Sequence, residues 1–163
     1  MPIIYFLFSS LLWAQEPQDK SITLPVPTIQ ELWDKNDVLL LKETLSIGSI
    51  VGSNLISVEK VQVTQGNTKA DGISLVVDKE EQYLFSVNEL TLLIKQLEAL
   101  LSKMNDPMPP RGIYTISTRN GIRIIYSPKG MTPTISLNNI QLTRRQFDDL
   151  RKLLEKALAP SSF

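Results

Sequence analysis

The stretch Gly72–Met104, GISLVVDKEEQYLFSVNELTLLIKQLEALLSKM, constrains the fold more than any other part of the chain. Ile73, Leu75 and Val77 alternate, and so do Tyr83, Phe85 and Val87, the period of strands with one buried face. Asp78-Lys79-Glu80-Glu81 between them reads as a four-residue hairpin loop. The period then changes. Leu90, Leu93, Ile94, Leu97, Leu100 and Leu101 recur at helical spacing, which predicts a helix from about Asn88 to Lys103. Glu89 early and Lys103 late suit the helix dipole. A stripe of this kind is a core face rather than a cofactor site.

The same order returns from Gly121 to Leu158, at a spacing of about 50 residues. Ile113–Thr118 and Ile122–Tyr126 read as strands, joined through Arg119-Asn120-Gly121, and Asn-Gly is a strong hairpin signal. Pro128-Lys129-Gly130 turns the chain into a third strand near Thr132–Asn138. Thr143, with Gln146 three positions on, caps a last helix whose apolar face is Phe147, Leu150, Leu153, Leu154 and Leu158. Asn105–Pro110, NDPMPP, separates the halves.

Ahead of the opening stretch, one strand is expected near Leu40–Ser49 and another in LISVEKVQVTQ, with a turn at Gly52-Ser53-Asn54. Ile56 and Val58 lie in one phase and Val61 and Val63 in the other, so a β-bulge is expected near Glu59–Lys60. Gly66–Gly72 reads as a loop. Thr28 and Glu31 form a capping-box pattern before a short helix over Ile29–Lys35. Its face of Ile29, Leu32 and Trp33 should dock on the body, with Trp33 as a pocket wall the alternative.

These elements predict an α+β fold, a single domain over residues 38–160 with halves at 38–105 and 111–158. Each half is βββα-like, and both helices should lie on one face of a joint antiparallel sheet of six or seven strands. Parallel strands would need helical crossovers, and none fits between them.

Composition removes many chemistries. The chain has 163 residues and contains neither Cys nor His, so disulfides, thiolate nucleophiles and Ser-His-Asp triads are excluded. The phosphate-loop, dinucleotide and calcium-loop motifs are absent. The carboxylate pairs Glu80–Glu81 and Asp148–Asp149 read as solvated surface, so no catalytic, cofactor or metal site is expected, and the chain is not read as an enzyme. Net charge is zero but uneven: all six arginines follow residue 106. Complementary packing of the halves is the plain reading and an anion- or partner-binding face the sharper one.

Met1–Ala14, MPIIYFLFSSLLWA, has the length of a signal-peptide apolar region, with cleavage expected after Ala14. The alternative is a buried N-terminal strand or helix. Residues 15–37 then form a Pro-containing linker with the short helix. This reading expects export to a periplasmic or extracellular space, with no transmembrane segment after signal removal.

The run Gly72–Met104, followed by GIYTISTRNGIRIIYS with Tyr114-Thr115 and Thr118-Arg119-Asn120-Gly121, resembles uncharacterised exported bacterial α+β proteins. The resemblance implies shared architecture and brings no activity. A strand-rich unit ending in a helix also resembles whirly-type single-strand DNA-binding modules.

The candidate binding site is the cationic hairpin: Arg119 at the turn, Arg123 beyond it, and Tyr114 and Tyr126 on the flanking strands. Arginine beside aromatic rings can hold phosphate, carboxylate or single-stranded nucleic acid, and equally can form an ordinary solvated sheet face. The expected function is an exported, non-enzymatic binding or assembly protein whose partner is another protein. Whether a small-molecule ligand binds is unknown from the residues. The alternative is a nucleic-acid binder, which export disfavours.

Overall fold

The computed structural model describes residues 28–34, 41–52, 54–106, 112–128 and 133–160. The expected signal segment, most of the linker and the Pro107–Pro110 boundary lie outside the described residues. The elements are α1 (Ile29–Trp33), β1 (Leu41–Val51), β2 (Leu55–Gln65), β3 (Thr68–Val77), β4 (Glu81–Phe85) and α2 (Val87–Met104). They continue with β5 (Tyr114–Ser117), β6 (Arg123–Ser127), β7 (Thr134–Leu137), β8 (Ile140–Leu142) and α3 (Arg144–Leu158).

The α+β class and the antiparallel pairing are as the alternation predicts. The joint sheet is not. Two four-stranded sheets form, β1-β2-β3-β4 and β5-β6-β7-β8, so each half is ββββα. Edge strand β4 meets turns of the second sheet rather than a strand. Asn120 Nδ2 donates to the Leu84 carbonyl at 2.7 Å, and Asn138 Nδ2 donates to Tyr83 Oη at 2.5 Å. The Asn120 side chain thereby takes a main-chain carbonyl of β4 that a neighbouring strand would otherwise use. The unexpected strand, β8, has three residues and follows β7 through a two-residue turn at Asn138-Asn139. Asn138 adopts φ of 51°, a conformation asparagine tolerates better than most residues.

Both sheets turn an apolar face into one core. Ile56, Val58, Ile73, Leu75 and Phe85 come from the first sheet, and Ile122, Ile124, Tyr126, Ile135 and Leu137 from the second half. Leu90, Leu93 and Leu97 of α2 and Phe147, Leu150 and Leu154 of α3 fill the space between. All three helices begin with capping boxes, at Thr28/Glu31, Ser86/Glu89 and Thr143/Gln146.

The phase change in β2 has a different cause from the expected bulge. The β2–β3 register runs unbroken from Ile56↔Val77 to Gln65↔Thr68. Ile56, Val58 and Lys60 face the main core side, whereas Val61 and Val63 face the other side, where α1 covers them with Ile29 and Leu32. Thus β2 serves two apolar clusters on its two faces. The actual irregularity lies in β1, between Ser46 and Gly48. Gly66–Gly72 is likewise not a loop. Gly66-Asn67 makes a two-residue turn, with Gly66 at φ of 57°, and β3 begins at Thr68. The polar run Thr68–Asp71 had concealed that strand end. The Asp78 loop has three residues, because Glu81 already pairs with Val77.

Trp33 packs half-buried against the α1 cluster, and the Lys42 ammonium lies 4.1 Å from its ring centroid. Among the described residues, no helix is long and apolar enough to cross a membrane.

Candidate functional site

The four residues of the cationic hairpin do not share a surface. Tyr114 and Tyr126 are directly paired across β5 and β6, with ring centroids 6.3 Å apart. Their face is the inner one, and Tyr126 is only 4% exposed. Arg123, paired with Ser117, lies in the opposite phase and is exposed on the outer face. Arg119 is exposed at the turn. Tyr126 is therefore a core residue and offers no ring for stacking. The alternation of β6 decides this: residues 123 and 126 differ by an odd number and cannot share a face.

Arg119 instead meets α2. A groove of 320 Å³ is lined by Phe85, Leu92, Leu93, Ser117, Arg119 and Asn120 among others. A second groove of 480 Å³, lined by Gln96, Leu100, Lys103, Tyr114 and Ile116 among others, continues it along β5. The two share Gln96 and Ser117, so a single trough runs between α2 and the edge strand. Leu92 is 62% exposed on its helical wall.

The edge itself can accept a strand. The Thr118 amide donates to the Ile122 carbonyl at 2.9 Å, which makes Thr118 and Ile122 a hydrogen-bonded pair. Hydrogen-bonded and non-bonded pairs alternate in an antiparallel ladder. Ile116↔Ile124 and Tyr114↔Tyr126 are then bonded pairs. The amides and carbonyls of Thr115 and Ser117 consequently point away from β6, toward the trough.

The equivalent place in the first half is closed. There α3 lies against edge strand β1. Lys156 Nζ donates to the Ile47 carbonyl at 3.3 Å. Leu153 presses on Gly48, where a Cβ would come within 2.7 Å of Leu153 Cδ2. The bulge at Ile47 and the missing side chain at Gly48 let the helix sit directly on the strand. The apolar stripes of α2 and α3 do not by themselves place either helix relative to its edge strand, although α2 carries the additional exposed apolar residues Val87 and Leu92.

Charged groups on α3 pair largely with one another. Between α2 and α3, Arg151 pairs with Asp148 at 3.0 Å, with Glu155, and with Glu98 at 3.9 Å. Lys152, at 2.7 Å, and then Arg151 hold the Asp148 carboxyl below the usual carboxylate range. Asp149 lies 3.9 Å from Arg145. Arg144 donates to Asn105. These contacts are a helix-to-helix network rather than an acid–base pair. Glu81 accepts from Tyr83 Oη at 2.5 Å. Burial first, and then the Glu81 carboxylate, push the Tyr83 phenol up to about 12. Among the described residues, no cluster of three or more potential metal-ligating acids forms.

No protein-family model matches the chain, and no curated protein matches it.

Proposed function

We propose that the protein is a non-enzymatic binding or assembly module, working outside the cytoplasm, that takes an extended segment of a partner protein between α2 and the open edge of β5. One observation carries this reading. Of the two helix–edge junctions, α3 closes on β1 through Leu153 and Lys156, while α2 leaves a trough beside β5 with Leu92 exposed. Strand addition to an exposed edge draws affinity from main-chain hydrogen bonds and specificity from alternate side chains.

The test is selection of binders from a random peptide library on the full chain, followed by amide hydrogen exchange. Selected peptides should protect the Thr115 and Ser117 amides. Thr115→Pro removes an outward-facing N–H, which edge strands tolerate, and should abolish binding with the fold retained. Leu92→Glu is a second variant, at a site too exposed to affect folding. Peptides that bind both variants as well as wild type would refute edge pairing. Export is tested separately by cell fractionation and N-terminal sequencing, where a mature start near Gln15 is expected.

A second reading, single-stranded nucleic-acid binding, draws on the four-strands-then-helix order of each half, which resembles whirly-type modules. Its signature would be oligonucleotide affinity that falls steeply with salt. The burial of Tyr126 removes one of the two rings that reading draws on at this hairpin.

A further inference from the structure

Resting on the peptide-binding reading, we propose that the segment taken into the α2–β5 trough is a short alternating apolar run flanked by carboxylates at both ends. The floor and walls set the middle of the ligand. Phe85, Leu92, Leu93, Leu100 and Ile116 line the trough from end to end. An extended chain paired with β5 turns every second side chain to the same side, so apolar residues at alternate positions fit.

The ends set the charge. Arg119 lines one end of the trough and Lys103 the other. Neither side chain has a hydrogen bond or ion pair among the described residues. The one carboxylate on the lining, Glu89, is engaged in its own helix cap. Its Oε2 accepts from the Ser86 amide at 3.0 Å and from Ser86 Oγ at 2.8 Å. It is therefore not free to pair with Arg119. Cations at both ends with no pairing anion between them complement a ligand that is acidic at both ends. From Tyr114 to Arg119 the edge spans about 17 Å at ~3.4 Å per residue, which sets the spacing of the two acidic ends at about five residues.

The experiment uses three fluorescent synthetic peptides with the same Val-Thr-Ile-Thr-Val middle, flanked by Asp-Asp, Ser-Ser or Lys-Lys. Anisotropy titrations of the full chain should rank them acidic, neutral, basic. The acidic peptide should bind about tenfold tighter than the basic one at low salt, with the gap closing as salt screens the ends. The Lys103→Ala/Arg119→Ala double variant should lose the ranking, with the Asp-flanked peptide binding no tighter than the Ser-flanked one. Equal binding of all three peptides would overturn the charge assignment and leave the peptide-binding reading intact. Binding of none would overturn both. Sedimentation showing a dimer that the peptides dissociate would make a second copy the occupant and overturn the proposed partner.

Discussion

Gly72 sits where three elements converge, and its replacement by alanine is a sharp test of the packing described above. It pairs with Val61 in β2, and its neighbour Ile73 pairs with Phe85 in β4. A Cβ there would come within 2.8 Å of the Phe85 carbonyl oxygen and 2.8 Å of Ile29 Cδ1, with Ile29 Cγ2 at 3.2 Å. The two contacts are not equivalent. Ile29 Cδ1 is the far end of a flexible side chain on a five-residue helix and can swing away. The Phe85 oxygen is backbone at the end of β4, one residue before the α2 cap at Ser86. Overpacking of this kind costs about 1–3 kcal/mol. With the backbone contact dominant, about 2 kcal/mol is expected, a fall in Tm of about 4–8 °C for a chain of this size. Urea denaturation followed by far-UV circular dichroism measures it. Ile29→Val removes Cδ1 and by itself costs about 0.5–1.5 kcal/mol. In that background Gly72→Ala should retain most of its cost. An unchanged midpoint for Gly72→Ala would refute the convergence of β3, β4 and α1 at this point. Full rescue by Ile29→Val would refute the backbone contact as its cause.

Asn138→Gly keeps the left-handed turn but removes the side chain that accepts from the Arg123 amide at 2.8 Å and donates to Tyr83. A loss of about 1–3 kcal/mol in chemical denaturation is expected, and no loss would show that the two sheets do not depend on this link. Tyr83 should ionise near pH 12 in a spectrophotometric titration, and Tyr83→Phe should delete that step. Because its folded-state value is raised, its contribution is complete below the unfolded phenol's range near pH 10 and is lost as pH rises through about 12. A Tyr83→Phe stability difference that grew with pH through that range would contradict the sign. Arg119→Ala/Arg123→Ala should change stability by less than about 0.5 kcal/mol, since both side chains are exposed, and a large loss in thermal denaturation would mark them as structural.

Local order was readable in the residues because short-range physics sets it. The alternation at Ile73–Val77, the Leu90–Leu101 stripe and the Ser/Thr–Glu/Gln caps each act within a few positions. The α+β class and the antiparallel pairing follow from them. One local signal has a nonlocal cause. The phase change at Lys60–Val61 has the pattern of a bulge, yet it arises because α1, some thirty residues earlier, covers the opposite face of β2. Polar Thr68–Asp71 lacked an apolar phase because that part of β3 extends past the main core. Residue types alone group Arg119, Arg123, Tyr114 and Tyr126, whereas strand parity turns Tyr126 inward and Arg123 outward.

The residues alone establish the helix caps and helical stripes, the alternation of most strands, and the absence of any imidazole or thiol from the 163 residues. The division of the described strands into two sheets is set by long-range contacts, among them Asn120 and Asn138 meeting β4 residues more than thirty positions away. The tertiary structure also decided that α3 closes on β1 while α2 stands off β5. What each helix meets differs: a bulged strand with Gly48 at the contact in one case, an edge whose described pairing runs without a register shift in the other.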